Sequence, residues 1–395
     1  MGDTYLWIDQ PDSLARLVEH LRDDTPIAID TEADSLHHYR ESVCLVQLTQ
    51  RGEHFLLDPF AKLDLTDLWA RLHNTVWVLQ GADFDLRMLR RLGAREPAAV
   101  FDTMLAGQLL GLPAVGYAAL VERYFGIVLC KKNQKADWSR RPLSQSMLEY
   151  AMQDTQHLEP LAARQQEDLI AAGRLEWHRQ SCARVVRLSL IQRGGDEDAW
   201  RISGSNKLSP GALAVLRRVW EWREGEAERM DRPTFKVYAN EALLSLAIWA
   251  DAHRRLPPYA WAHWPHHMRQ GGSTRLATAV EQGREDSPMS RLSSGSRPQP
   301  NPAADQRLEK LRVKREEVAA REKLDPSLIA AKSILTTIAH NPDAGATQLI
   351  QQDRWCPWQA ELMEVPYDPP VTDAVTVAHP LEAPVPFATE PFATE

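Results

Sequence analysis

The chain has 395 residues, a length that predicts two or three domains. Hydrophobic residues make up 44% and charged residues 25%, the balance of an ordinary globular protein, and no apolar run approaches the ~18 residues that a membrane-spanning helix needs. The net charge of −8 gives little general attraction to phosphates, so any binding to nucleic acid has to come from local clusters of Lys and Arg.

Strand and helix patterns alternate through residues 1–195. Apolar residues recur at helical spacing over 14–21, and strands are predicted at 27–31, 43–49, 54–58 and 76–80. Helices are predicted at 65–73, 83–92, 103–111 and 115–125, followed by one long helix, with or without a bend, at 144–172. Because the strands come first and nearly consecutively, we predict a mixed sheet with helices packed on its faces.

Four carboxylates and a tyrosine lie in three short clusters of this half. Asp30 and Glu32 follow an apolar run that predicts a buried strand, and residues two apart on a strand point to the same face. Tyr150 and Asp154 are four apart in an amphipathic helical stretch, so they share a face as well. Asp85 lies near the start of another predicted helix. Hard oxygen ligands from three elements are what Mg²⁺ or Mn²⁺ requires, and we predict a metal-dependent site that cleaves phosphodiesters.

The order Asp-x-Glu, then a lone Asp, then Tyr-x-x-x-Asp resembles the DEDD exonucleases of the tyrosine subtype. Longer segments, DTEADSLHHYRESVCLVQLT, ADFDLRML and DWSRRPLSQSMLEYAMQDTQHLEPL, are similar to ribonuclease D. The resemblance covers roughly the first half of the chain. It implies an α/β exonuclease domain at 1–195, a ribonuclease H-like mixed sheet flanked by helices. It also identifies Asp85, directly before Leu86, as the ligand in preference to Asp83.

The resemblance implies a function and a set of roles. The catalytic residues would be Asp30, Glu32, Asp85, Tyr150 and Asp154. The four carboxylates would hold two divalent cations, Mg²⁺ or Mn²⁺, with Asp30 bridging both, and Tyr150 would orient the attacking water. The implied reaction is 3′–5′ hydrolysis of RNA to nucleoside 5′-monophosphates, with transfer RNA precursors as the expected substrates. An exonuclease that acts on DNA and a catalytically silent RNA-binding scaffold stay open, although the intact ligand set argues against the scaffold.

A basic segment, LCKKNQKADWSRRPL, lies between the second and third clusters. It is the best local candidate for contacts to the phosphates of a nucleic-acid strand. Its cations are Lys131, Lys132, Lys135, Arg140 and Arg141. Trp138 lies among them, and both base stacking and core packing are open for its ring.

From Trp200 onward strand signals nearly vanish. Ser209 and Pro210 predict the cap and the first residue of a helix. The segment WEWREGEAERMDRP, followed after a short interval by ANEALLSLA, resembles the helicase-and-ribonuclease-D C-terminal (HRDC) domain, a small helical module that binds nucleic acid. We place this domain at 200–285.

The remaining C-terminal residues predict three further segments. Residues 270–304 are rich in Gly, Ser, Arg and Pro, which favours a linker or long loop. A helical block at 305–363 looks like a divergent second HRDC-like domain. Residues 364–395 are rich in proline and end in the direct repeat PFATE-PFATE. We predict a disordered tail there, with a short peptide ligand for a partner as the alternative.

The cysteines and the N-terminus favour the cytoplasm. Four cysteines are scattered without a Cys-x-x-Cys pair, which argues against a disulfide framework and a zinc site. The first residues show no basic patch followed by an apolar core, so we expect no signal peptide. The histidine-rich run at 263–267 fits no ordinary zinc spacing, and we predict no metal site there.

Overall fold

The structure is a computed structural model that describes residues 5–130, 132–191, 198–257, 273–290 and 301–369, together with Val385 and Phe387. Its contacts divide the chain into two units. The first comprises Met1–Ala33, Val43–Gln192 and Asn301–Glu395, and the second comprises Asp34–Ser42 and Arg193–Pro300. In the described part of the chain, no helix is both long and apolar enough to cross a membrane.

A six-stranded mixed sheet forms the centre of the first unit. Its strands are β1 (Tyr5–Ile8), β2 (Ile27–Ala33), β3 (Val43–Gln50), β4 (Glu53–Leu57), β5 (Val76–Leu79) and β6 (Ala99–Asp102). In the spatial order β1-β4-β3-β2-β5-β6, the pairs β2–β3 and β3–β4 are antiparallel and the other pairs are parallel. The predicted mixed sheet is confirmed. The prediction lacks the short strands β1 and β6.

Helices cover both faces of this sheet, and their buried side chains form the core with those of the strands. They are α1 (Pro11–His20), α2 (Thr66–Leu72), α3 (Asp83–Arg91), α4 (Thr103–Leu109), α5 (Tyr117–Phe125), α6 (Gln145–Gln156), α7 (Leu158–Ala171) and α8 (Leu175–Leu190). All eight residues of β3 are buried, so the strand beside β2 lies in the middle of the core.

The predicted long helix at 144–172 is broken at His157. In an unbroken helix the His157 N–H would donate to the carbonyl of Gln153. The Tyr117 hydroxyl stands between these two groups, since it donates to the Gln153 carbonyl (2.9 Å) and accepts from the His157 N–H (3.1 Å). A side chain inserted into the hydrogen-bond ladder therefore ends α6 shortly after the turns that carry Tyr150 and Asp154.

The loop before α6 is anchored in the core. Trp138 is 1% exposed and packs with residues of β3 and α6, so core packing, rather than base stacking, is the role of its ring. Arg141 donates to both carboxylate oxygens of Asp58, at 2.7 Å each, and to the Cys44 carbonyl at 2.7 Å. A paired guanidinium of this kind holds the loop to β3 and to the end of β4.

The second unit is helical. It contains α9 (Pro210–Met230), α10 (Thr234–Val237), α11 (Asn240–Ala252) and α12 (Ser273–Glu285). The predicted helix start is confirmed, because Pro210 is the first residue of α9 and the Ser209 hydroxyl accepts from the Ala212 N–H at 3.0 Å. Trp200, Leu243 and Leu276 are among the residues that form the core of this unit.

The linker predicted at 270–304 is wrong where α12 lies. Leu276 and Val280, four residues apart, are fully buried against the core of the second unit. The helix approaches α9 so closely that a Cβ at Gly283 would lie 2.5 Å from the Cα of Val215. A glycine at position 283 is therefore required by helix packing.

A second group of helices belongs to the first unit. It consists of α13 (Pro302–Glu322), α14 (Pro326–Ile329), α15 (Lys332–His340), α16 (Gly345–Gln351) and α17 (Pro357–Leu362). Trp358 stacks on Trp177 of α8 with ring centroids 4.9 Å apart, and Arg174 pairs with Glu322. The contacts of the α/β region thus extend well beyond residue 195.

The disordered tail predicted from residue 364 does not hold for its first residues. Val365 is buried in the core formed by the helices α13–α17. The Tyr367 hydroxyl donates to Glu361 at 2.7 Å, and the Asp368 N–H donates to the Thr347 hydroxyl at 2.9 Å. These contacts extend ordered structure past the last predicted helix.

Candidate active site

Three carboxylates meet where β2 faces α6. One ligand oxygen from each of Asp30, Glu32 and Asp154 can be chosen so that all three lie within 4.8 Å of one another. All three side chains are half-buried. Strand alternation brings the two β2 residues to one face, and α6 packs against β2 with Asp154 toward them. Three hard oxygen donors at this spacing fit a divalent cation of the Mg²⁺ or Mn²⁺ type.

Asp85 lies in the first turn of α3 and stands outside this group of three. Its carboxylate accepts a hydrogen bond of 2.5 Å from the hydroxyl of Thr31, the residue between the two acids of β2. It is 5% exposed, whereas Asp83 is exposed and pairs with Arg87 on the same helix. Asp85 is therefore the acid of this segment that is buried beside β2. Its role as a metal ligand remains a prediction.

Burial and repulsion between neighbouring carboxylates disfavour the ionised forms of these acids. Burial, followed by repulsion from Asp85, Asp154 and Glu32, raises the pKa of Asp30 well above its usual range. Burial, followed by repulsion from Asp154 and Asp85, raises the pKa of Glu32 to about 9. Burial raises the pKa of Asp154 and that of Asp85 to about 7. A cation that sits among these groups removes the repulsion, which is a second reason that the residues fit a metal ion.

Tyr150 lies one helical turn before Asp154, as its spacing predicts. Its hydroxyl hydrogen-bonds the Asp154 carboxylate and its ring packs beside Trp138, with centroids 6.1 Å apart. Burial and the neighbouring carboxylates raise the pKa of Tyr150. The hydroxyl therefore keeps its proton and acts as a hydrogen-bonding group rather than as a base.

Two buried polar residues near the acids are absent from the residues predicted from the sequence. The buried Asp102 accepts from the N–H groups of Gly81 (3.0 Å) and Ala82 (2.8 Å) and caps α4, so it fixes the turn that leads into α3. Its place at the end of a strand and directly before a helix is the signal that could reveal it. Gln47 is the cross-strand partner of Asp30, is fully buried, and has an amide without a hydrogen-bond partner among the described residues.

The predicted basic segment is only partly available to a nucleic acid. Lys132, Lys135 and Arg140 are exposed, and Arg140 pairs with Asp137 at 3.1 Å. Lys131 lies outside the described residues. The guanidinium of Arg141 is occupied by Asp58 and backbone carbonyls, so its prediction as a phosphate contact is corrected to a structural role.

The histidine-rich run at 263–267 lies outside the described residues as well. Within the described ranges, the group of Asp30, Glu32 and Asp154 is the set of acids, histidines or cysteines close enough to hold a metal.

Two family models match this chain. One, described as 3′–5′ exonuclease, matches residues 5–170, and the model of the HRDC domain matches residues 212–248. The first match contains all three acidic clusters, and the second lies within the helical segment that resembles HRDC domains. Both resemblances noted in the sequence are thereby confirmed.

The chain is similar to curated and solved ribonucleases. Ribonuclease D of Gluconacetobacter diazotrophicus is 34% identical over 249 residues, 62% of this chain and 63% of that protein. Ribonuclease D of Escherichia coli is 32% identical over 249 residues, 62% and 66% of the two chains. Each match spans slightly less than two thirds of the relative's length. The crystal structure of Escherichia coli RNase D, described as an exoribonuclease involved in structured RNA processing, matches with a TM-score of 0.67 at 25% identity, over 91% of this chain and 96% of that one.

The repulsion among the carboxylates predicts how the metal-free protein responds to pH and to mutation. A carboxyl with a raised pKa binds its proton more tightly in the folded chain than in the unfolded chain, so stability falls as the pH rises from about 4 through about 9. At pH 8 without metal, Asp30→Asn should raise the melting temperature, by roughly 2–4 °C for each kcal/mol of repulsion removed. Mn²⁺ should raise the melting temperature of the wild type much more than that of Asp30→Asn.

The control for this experiment is Asp83→Asn, which removes an exposed charge from α3. Calorimetric melting with and without Mn²⁺ checks the three proteins. A wild type that gains no stability from Mn²⁺, or an Asp30→Asn variant that melts like Asp83→Asn, would contradict the description of the site.

Proposed function

We propose that this chain, which carries a ribonuclease D-like 3′–5′ exonuclease domain followed by an HRDC domain, hydrolyses RNA from the 3′ end and releases nucleoside 5′-monophosphates. The observation that carries the proposal is the group of Asp30, Glu32 and Asp154, with carboxylate oxygens within 4.8 Å of one another beside the Tyr150 hydroxyl. Similarity to several ribonuclease D proteins supports RNA as the substrate.

In the proposed reaction four carboxylates would hold two divalent cations, Mg²⁺ or Mn²⁺. They are Asp30, Glu32, Asp85 and Asp154. When bound, such cations lower the pKa of water and stabilise charge on the leaving oxygen. The raised pKa values of the carboxyl groups support this role, because a site that repels its own charges in the apo state gains most from binding cations.

Tyr150 orients the attacking water in this proposal. Its hydroxyl is held next to Asp154, and its ring is fixed against the buried Trp138. Since its raised pKa keeps the hydroxyl protonated, the oxygen can accept a hydrogen bond from water while its own proton is donated to the Asp154 carboxylate. Tyr150 is thus a catalytic residue that orients water without removing its proton.

The proposed substrates are transfer RNA precursors with trailing 3′ residues. The exposed cations Lys132, Lys135 and Arg140 lie on the loop that leads into α6 and are the proposed contacts to the strand that enters the site. Action on DNA is the second candidate. A carboxylate-bound metal site can cleave the phosphodiesters of RNA and of DNA, and discrimination between them depends on contacts to the 2′-hydroxyl.

The helices α13–α15 are proposed to be a divergent second copy of the HRDC module. Both α9 and α13 have 21 residues, begin with Pro and end on a residue with left-handed backbone, and each is followed by a four-residue helix. Arg223 and Arg315 occupy the same position in these helices and donate to the carbonyls of Tyr238 and Ala330, which follow the short helices. A shared length alone would be weak support, but a shared arginine contact is specific.

The proposed compartment is the cytoplasm. None of Cys44, Cys130, Cys182 and Cys356 forms a disulfide. Unpaired cysteines are typical of reducing compartments, where disulfides do not persist.

A product assay tests the proposed activity. With Mg²⁺ or Mn²⁺, the protein should shorten a single-stranded RNA from its 3′ end and release nucleoside 5′-monophosphates, and Asp30→Asn should reduce the rate by at least about 10³-fold. A DNA oligonucleotide of matched sequence distinguishes the two substrates. Faster digestion of the DNA would favour the second candidate, and the absence of mononucleotides with either substrate would support the silent scaffold.

Tyr150→Phe should lower kcat by about 10²-fold and leave KM nearly unchanged, because the ring still packs and only the water-orienting hydroxyl is lost. Tyr124→Phe is the matched control, since it also removes a hydroxyl that donates to an aspartate, Asp168. Steady-state kinetics on a short RNA measures both parameters. A change confined to KM in Tyr150→Phe would show that Tyr150 serves binding or packing instead.

The first HRDC module is proposed to bind RNA through the exposed Arg232, Phe235 and Lys236, an aromatic ring between two cations. Replacing Phe235 and Lys236 with Ala should raise KM about tenfold on long RNA and leave kinetics on short RNA unchanged. The reason is that the module raises only the effective concentration of the RNA 3′ end at the active site. Lys310→Ala, in α13, is the control. Kinetics are compared at one salt concentration, and equal losses on both RNAs would rule out this division of labour.

A further inference from the structure

Two residues of the C-terminal tail lie against the α/β region. The side-chain amide of Gln166, on α7, donates to the Val385 carbonyl at 2.8 Å and accepts from the Val385 N–H at 2.7 Å. Two residues later, the ring of Phe387 meets the ring of Phe101 edge-on, with centroids 5.6 Å apart. The tail thus makes a paired backbone contact and an aromatic contact at neighbouring positions.

The surface that receives these residues is a largely apolar groove formed by β6, α7 and α8. Leu175, Cys182 and Val186 line it together with Phe101, and the side chain of Val385 lies among them. With the tail in place Gln166 is 7% exposed, so its amide is buried at this contact. Burying an amide without partners costs roughly 1–3 kcal/mol, and the Val385 backbone supplies both partners.

We propose that this groove is a docking site for a Val-x-Phe segment, and that the chain's own Val385 and Phe387, at the first PFATE copy, occupy it. Gln166 recognises the backbone of the first position, as an added strand would be recognised, and the apolar lining selects its side chain. Phe101 recognises the aromatic ring at the third position.

The two PFATE copies are preceded by different residues, and the preceding residue is the one whose side chain enters the groove. Phe387 is preceded two residues earlier by Val385, whereas Phe392 is preceded by Glu390. If the second copy docked in the same register, it would place a carboxylate among apolar side chains, where desolvation opposes the charge. Arg179, the cation at the groove, already pairs with Glu176. The first copy is therefore the occupant, although both copies share the same five residues.

The docked segment also covers a part of the fold that supports the active site. Phe101 packs on the ring of His178, with centroids 4.3 Å apart, and His178 hydrogen-bonds the Asp102 carbonyl at 3.0 Å. Asp102 in turn fixes the turn that leads to Asp85. The tail consequently adds contacts to the strand end from which that turn is held.

Hydrogen exchange on the full-length chain tests the docking. In the wild type, the Val385 amide should exchange about tenfold or more slowly than in a synthetic peptide of residues 383–389, which corresponds to about 1.4 kcal/mol of local stability. Phe387→Ala and Gln166→Leu should each abolish this protection. Phe392→Ala, the same change in the second copy, should leave it intact.

Each outcome decides the proposal. Exchange of the wild-type Val385 amide at the rate of the free peptide would overturn docking altogether. Loss of protection in Phe392→Ala to the same extent as in Phe387→Ala would show that the groove does not select the first copy. Catalytic activity is measured on the same samples with short RNA as a check that the variants fold, since Gln166 and Phe387 lie at the groove and not in the carboxylate group.

Discussion

The repulsion among carboxylates buried together between β2, α3 and α6 is the constraint on which the α/β region depends. Burial raises the pKa values of Asp30, Glu32 and Asp154, and repulsion from neighbouring carboxylates adds to the shifts of Asp30 and Glu32, so the fold keeps these groups close at a cost in free energy. Proteins retain such costs mainly at functional sites, where a bound cation offsets them. The packing of the helices on the sheet prevents the acids from moving apart.

The two helices that carry acids, α3 and α6, are each held by polar contacts. The Tyr117 hydroxyl ends α6, and the pairing of Arg141 with Asp58 fixes the loop from which α6 begins. Asp102 holds the turn before α3, and Thr31 holds the carboxylate of Asp85. These contacts are buried or partly buried hydrogen bonds, which are strongly directional, so they set the positions of the acids more narrowly than apolar packing alone would. The hydrogen bonds that support the site therefore come from residues far apart in the sequence.

Much of the fold and the site follows from local patterns. Two-residue spacing on a strand and four-residue spacing on a helix predict which acids share a face, and the structure brings Asp30, Glu32 and Asp154 together accordingly. The features that the sequence does not reveal depend on distant residues. The break at His157 needs Tyr117 of another helix, the burial of α12 needs the close approach at Gly283, and the role of Arg141 needs Asp58. Composition predicts a linker at 270–304 and a disordered tail from residue 364. In both segments, contacts with residues elsewhere in the chain order part of the predicted loop or tail.

The most direct test of the central claim is the number of Mn²⁺ ions that the full-length protein binds, measured by electron paramagnetic resonance with a short RNA that cannot be hydrolysed. If the acids of β2, α3 and α6 together hold two cations, the wild type will bind two Mn²⁺ ions per chain at micromolar concentrations. Asp154→Asn will then lose at least one of them. A wild type that binds no Mn²⁺ under these conditions, or an Asp154→Asn variant with unchanged binding, would contradict the account.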